Sequence, residues 1–353
     1  MSSAAPSGAE RATSLDDTAP AMPAGGWPCV PGPAPILPIA SMRRVYRPEE
    51  VEKRLGKLPP REHEALRRVY ERMLEQGPDR FQVKPSGLPA LEPLADAMPN
   101  FKDVIDDLRR QLALCADSRD PLEITPMLLL GPPGVGKTHF AREVAQLLGT
   151  GMGFLSMSAM TAGWLLSGAS SQWKGARPGK VFETLVDGRY ANPVMVVDEI
   201  DKAGGEQAYD PLGSLYTLLE HDTASRFTDE FAEVEVDASQ VIWVATANDE
   251  RGIPDPILNR MNVFEVPAPD AEGARRIALR LYVSLRGEHD WGRRFDPEPA
   301  EDVLERLGAM PPREMRRAWM TGFGNARLAG RDRILVEDLP DAAGRRQPIG
   351  FTH

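Results

Sequence analysis

Two stretches hold residue types that could act on a phosphate. The first is GPPGVGKT, Gly131 to Thr138, which follows the apolar run PMLLL (126–130) and precedes the helical HFAREVAQLLG. Glycines at these positions let backbone N–H groups curl around an anion with no Cβ in the way, and a helix N-terminus adds its positive end. In this G-x-x-x-x-G-K-[ST] pattern the backbone of Pro133, Gly134, Val135 and Gly136 forms the cradle. Lys137 reaches the β- and γ-phosphates of a nucleotide, and Thr138 offers its hydroxyl to Mg²⁺. The second stretch is VMVVDEID (194–201). Asp198 ends an apolar strand, where an open parallel sheet presents its ligand site, and it can hold Mg²⁺ through water. Glu199, next along, can orient and activate the attacking water, so the pair points to hydrolysis as well as binding.

Such residues need a scaffold, and the apolar pattern supplies one. PMLLL (126–130), GFLSM (153–157), PVMVVDE (193–199), VIWVATA (241–247) and NVFEV (262–266) read as strands, with helical patterns between them. Strands this uniformly apolar are buried on both faces, so the fold class is α/β with a parallel sheet flanked by helices. Lys137 and Asp198 lie 61 residues apart, enough for a helix, a strand and a second helix. A strand is therefore expected to separate the two motif strands. Beyond Pro269 only helices follow, around 271–286, 298–308 and 312–329, a small all-α unit. His139 reads as a helix residue beside the loop and carries no assigned role.

Upstream, residues 1–45 are rich in Ala, Pro, Ser and Gly and read as a disordered leader, with Trp27 and the Ile36-Leu37 pair as a weak docking motif. Residues 46–98 read as helices and linker. RPEEVEKRLGKL is broken at Pro59-Pro60, and then Leu66, Val69, Tyr70, Met73 and Leu74 recur with helical period. GPDRFQVKPSG is expected to be linker. A further helix starts at Asn100, the expected N-cap, with Phe101, Val104, Ile105, Leu108 and Leu112 on one face.

The chain has 353 residues, 42 Lys and Arg against 52 Asp and Glu, a net charge of −10 that disfavours a non-specific nucleic-acid binder. Cys29 and Cys115 lack ligand-spaced neighbours and read as reduced thiols. No stretch has the length of a membrane span or the pattern of a secretory signal, so a cytoplasmic setting is expected.

From about Pro99 to Leu339 the chain resembles the AAA+ ATPase module of the Lon protease family. LLEHDTASRFTDEF (218–231), VIWVATAND (241–249) and IPDPILNRMNVFEVP (253–267) are similar to successive Lon segments, in the same order and spacing. The resemblance implies a P-loop NTPase fold of the AAA+ type: a large subdomain over 99–268 with a five-stranded sheet, a helical lid over 269–340 and a tail at 341–353. It implies ATP and Mg²⁺ as cofactors and a homo-oligomeric, hexameric ring. It also gives Asn248 the sensor-1 role, Arg260 that of an arginine finger reaching a neighbour's nucleotide, and Arg313 the sensor-2 role, with Arg316 and Arg317 as alternatives. QWKGARPGKVF falls where the family carries pore loop 1, which makes Trp173, Lys174 and Gly175 the grip on an unfolded polypeptide. The plain alternative for Trp173 is packing against Val181 or Phe182.

The chain ends at His353, soon after ILVEDLP, so a motor without its own serine-lysine peptidase is expected, with a separate peptidase or adaptor left open. Two other functions compete with threading of protein substrates. One is an ATP-controlled switch that binds a partner through the 47–76 helices. The other is a nucleic-acid ATPase, resting on the basic runs RRVYR (43–47) and GRRQP (344–348).

Overall fold

The computed structural model describes residues 39–59, 63–116, 118–159, 164–173, 175–203 and 212–340. The leader up to residue 38, Lys174 and the 341–353 tail lie outside the described residues. Strand β1 (Ile39–Arg44) runs antiparallel to β2 (Asp79–Lys84), and α1 (Pro48–Lys57) and α2 (Glu64–Gln76) fold between them. Pro48 sits in the first turn of α1, where its missing N–H has no partner to lose. Leu66, Val69, Tyr70 and Met73 of α2 are buried, as their period requires.

Both strands correct the reading of leader and linker. Each is too short and polar to announce itself, and β2 takes its outer hydrogen bonds from residues more than a hundred positions away. Phe81 N–H donates to Arg189 O at 2.8 Å, and Ala191 N–H donates to Phe81 O at 2.8 Å. The buried Asn192 side chain accepts from Val83 N–H at 3.0 Å and donates to Val83 O at 2.6 Å. The 47–76 helices are not a detachable partner-binding unit either. Val51, Leu66, Tyr70 and Met73 share one core with Phe182, Leu185, Leu212 and Phe231. Tyr70 Oη donates to Ala232 O at 2.7 Å inside it.

Helix α3 (Glu92–Ala97) and a 3₁₀ turn at Pro99–Phe101 lead into α4 (Lys102–Cys115). Asn100 does not cap α4; Phe101 holds that position. The Asn100 side-chain amide instead donates to Val135 O at 3.3 Å and Pro267 O at 3.0 Å, tying the phosphate loop to the segment just before the lid. Phe101 stacks on Phe140, rings 4.6 Å apart.

Next come β3 (Met127–Leu130), α5 (Lys137–Leu148), β4 (Met152–Ser156), α6 (Trp164–Ser167), α7 (Lys180–Val186) and β5 (Val194–Asp198). Short helices α8 (Leu215–Leu218) and α9 (His221–Ala224) precede a small ribbon, β6 (Phe227–Thr228) with β7 (Glu235–Val236). Then follow β8 (Ile242–Ala247), α10 (Asp255–Leu258) and β9 (Asn262–Glu265). The sheet order is β4-β5-β8-β3-β9, all parallel. A strand does separate β3 from β5, but it is β8, encoded after both motifs; β4, encoded between them, takes the edge. Burial on both faces holds for β5 and β8, whereas β9 is an edge strand with Val263 exposed.

The lid consists of α11 (Ala271–Glu288), α12 (Glu301–Gly308) and α13 (Pro312–Leu328), around a core of its own. Trp319 is fully buried there, and its indole N–H donates to Ala278 O at 2.9 Å. Among the described residues no helix is long and apolar enough to cross a membrane.

Candidate nucleotide site

At the C-terminal ends of β3, β5 and β8 the sheet opens into a cleft of about 360 Å³. Gly131, first of the loop, donates its N–H to Ala247 O at 3.1 Å, and a Cβ on it would stand 2.1 Å from Val266 O. No other residue fits that wedge. Gly134 has φ +84°, and a Cβ there would meet the Arg313 side chain at 2.8 Å.

Lys137, at the start of α5, donates from Nζ to Gly131 O at 2.6 Å, Pro132 O at 3.0 Å and Asn248 Oδ1 at 3.0 Å. Burial pulls its ammonium below the usual value, and the carboxylates of Asp198, Asp201 and Glu199 push back. Across the cleft, Asp198 Oδ1 accepts from Thr138 Oγ1 at 2.7 Å and from Thr246 Oγ1 at 2.7 Å. Thr246 Oγ1 in turn accepts from Glu199 N–H at 3.0 Å. Glu199 has φ 55° and ψ 49°, a left-handed conformation uncommon for a residue with a Cβ, and its side chain lines the cleft.

The loop residues Pro133, Gly134, Gly136, Lys137 and Thr138 thus meet Asp198, Glu199, Asn248 and Arg313 around one cavity. Val135 is buried and lines the neighbouring slot instead. That slot, about 50 Å³, lies between Met98, Asn100, Val135, Ile277, Leu281 and Pro312, and its walls are mostly apolar. Thr138 and Asp198 offer two hard oxygens 2.7 Å apart. Among the described residues no group of three His, Cys, Asp or Glu is arranged to hold a metal ion by itself. An ion there would complete its shell with phosphate and water oxygens, which fits Mg²⁺.

Two lining residues, Thr246 and Arg142, escaped the sequence reading, and His139, read there as a helix residue without a role, lines the cleft as well. Thr246 bridges the Asp198–Glu199 pair; it stands two residues before Asn248 on one strand face, and that alternation was available in the sequence. His139 and Arg142 both stand on α5, and His139 borders the apolar slot too. Burial, with help from Arg142, lowers His139 to about 4, and burial raises Glu143, 3.8 Å from it, to about 7.

Of the three lid arginines, Arg313 lines the cleft, while Arg316 donates to Glu288 at 3.2 Å. Arg260 lies outside this cleft, where its Nε donates to Glu220 Oε1 at 2.6 Å and its Nη1 to Pro256 O at 2.7 Å. Trp173 is 53% exposed, while Val181 and Phe182, its alternative packing partners, are fully buried. Its loop is closed by Trp173 N–H to Ser170 O at 3.0 Å, Ala176 N–H to Trp173 O at 3.1 Å and Ala169 N–H to Arg177 O at 3.2 Å. Gly175 follows with φ 82°. Below, buried Asp229 accepts from Gly179, Phe231 and Ala232 N–H at 2.8, 3.0 and 2.9 Å. The basic run 43–47 is partly committed inside the fold, since Arg43 pairs with Asp237 at 2.8 Å.

Residues 127–267 match the family described as ATPase family associated with various cellular activities (AAA). Lon protease 2 of Sorangium cellulosum is 35% identical over 196 residues, 54% of this chain and 24% of that protein. Over this region the chain carries an AAA module, similar in sequence to that of Lon proteases. The mitochondrial Lon protease homolog of Aspergillus niger is 32% identical over 207 residues, 59% of this chain and 18% of that protein. The chain thus matches a quarter or less of these Lon relatives' length. Hsp104 of S. cerevisiae, solved in complex with casein, shares the fold of the AAA+ module at a TM-score of 0.53 and 14% identity, covering 82% of this chain and 55% of that one.

Proposed function

We propose that this chain binds and hydrolyses ATP as one subunit of a ring that remodels or threads polypeptide. The observation that carries hydrolysis is the convergence of Lys137, Asp198 and Glu199 on one cleft at the end of the phosphate loop. Glu199 orients water for in-line attack on the γ-phosphorus and takes its proton as the new P–O bond forms and the bond to the ADP oxygen breaks. Lys137 and Arg313 offset charge on the transferring phosphoryl group, and Asn248, 3.0 Å from Lys137 Nζ, helps align the water. Mg²⁺, held through Thr138 and Asp198, would neutralise charge on the β- and γ-oxygens.

Arg260 supports a ring: it lies outside its own subunit's cleft, as a finger serving a neighbour must. Six subunits is the number the Lon resemblance implies. Trp173 supports threading, because an exposed indole on a hydrogen-bonded turn can press on any extended chain without reading its sequence. Lys174 and Gly175 flank it in sequence. The competing switch is disfavoured by the 47–76 helices, whose apolar face is spent on the chain's own core. The pairing of Arg43 weakens the nucleic-acid reading. The cytoplasmic setting stays the expectation from sequence; relatives named mitochondrial and peroxisomal carry modules of the same type.

The test is phosphate release from ATP over a range of protein concentrations, with and without casein as an unfolded chain, and with Glu199→Gln as blank. Turnover should climb with concentration and rise further with casein. Turnover indifferent to both would remove the ring motor.

A further inference from the structure

We infer that Glu220 is a positioning residue for Arg260: it holds the guanidinium so that its free edge faces the neighbouring subunit's nucleotide. This rests on Arg260 acting across a subunit boundary. Arg260 has five N–H donors in a planar fork. Two are engaged within the subunit, Nε to Glu220 Oε1 at 2.6 Å and one on Nη1 to Pro256 O at 2.7 Å. Held at two of its three nitrogens, the guanidinium has its orientation restricted, and among the described residues the outer Nη edge is left to bind phosphate oxygens.

The backbones under the pair are rigid while the side chains are not enclosed. Glu220 caps α9, its carbonyl accepting from Ala224 N–H at 2.9 Å, directly after the buried Leu218 and Leu219. Arg260 donates its N–H to Ile257 O at 3.0 Å and stands between buried Ile257 and Met261. The two side chains are nevertheless 29% and 47% exposed. An ion pair this open to water adds little to stability. Its effect is entropic instead. A free arginine samples many rotamers, and one held before the encounter has less freedom to lose in the transition state. Glu220 touches no reacting atom; it acts through Arg260.

The test uses the full chain and steady-state ATP turnover. Glu220→Ala should lower kcat about tenfold, the scale of a small misplacement of a catalytic group. KM for ATP and the thermal midpoint should stay unchanged. Glu220→Gln keeps an accepting oxygen and should retain most of the rate; it also serves if the alanine variant folds poorly. Added to Arg260→Ala, Glu220→Ala should cost nothing further, since the group it positions is gone. Normal turnover in Glu220→Ala would overturn the inference. So would faster turnover, which would mean that Glu220 sequesters the arginine, or a fully additive loss in the double variant. Full turnover in Arg260→Ala would instead remove the finger reading itself. A slow Arg260→Ala beside a normal Glu220→Ala removes only the positioning role.

Discussion

The ammonium of Lys137 is ringed by two loop carbonyls and Asn248, and the Asp198 carboxylate by two threonine hydroxyls. Lys137→Ala should therefore abolish nucleotide binding, read by titration of a fluorescent ATP analogue. Glu199→Gln should bind the analogue normally and lose on the order of a hundredfold or more in turnover, the usual worth of a general base. Normal turnover in Glu199→Gln would remove that assignment. Most of this cleft was legible, because a phosphate loop and a strand-end carboxylate are local patterns. Thr246 and Arg142 were not read, since their part depends on which strand and helix face the cleft. The same helix yields a pH effect. Burial holds Glu143 at about 7 against an ordinary 4.5, so the native state keeps a proton that the unfolded chain has lost. Its stabilising share is present below pH 4.5 and lost as pH rises through about 7, a span worth roughly 3 kcal/mol. His139 beside it, lowered to about 4, acts oppositely and costs stability as pH falls below 6.5. Glu143→Gln should then raise the thermal midpoint at pH 8 and leave it nearly unchanged at pH 5. An equal shift at both would deny the buried carboxyl its proton.

At the scale of elements, the loop around Trp173 stands on a polar anchor while its tip is free. Trp173→Ala removes an exposed ring and should change stability by no more than ~0.5 kcal/mol, yet abolish the stimulation of turnover by casein. Asp229→Ala would leave the N–H groups of Gly179, Phe231 and Ala232 without their buried acceptor. It should cost stability on the order of 1–3 kcal/mol at least. Calorimetry alongside phosphate release separates the two: a Trp173→Ala variant as unstable as Asp229→Ala would mean that the indole is structural. Helices and central strands were legible here because α2 and α4 bury residues at helical period and β8 is apolar and buried throughout. Strands β1 and β2 were not, because their pairing is with each other across two helices and with residues 189–192 beyond. Asn100 looked like a cap for the same reason: its partners, Val135 and Pro267, are distant in sequence.

Over the whole molecule, the N-terminal helices and the ATPase sheet fold as one unit. Tyr70→Ala should destabilise the complete large subdomain by about 3–5 kcal/mol, as loss of a large buried ring does, with a single unfolding transition. Unfolding of the N-terminal helices in a transition separate from that of the sheet would contradict the shared core. The order of the sheet has a consequence of its own. Strand β9, which begins two residues after Arg260, lies against β3, and Val266 N–H reaches Leu130 O at 2.6 Å just where Gly131 opens the phosphate loop. Gly131 lies so close to Val266 that a side chain on it would run into the Val266 carbonyl. The phosphate loop and the segment that carries Arg260 therefore meet at one strand pair. If Arg260 serves a neighbour as proposed, a shift of the phosphate loop in one subunit has a direct route along β9 to the adjoining site.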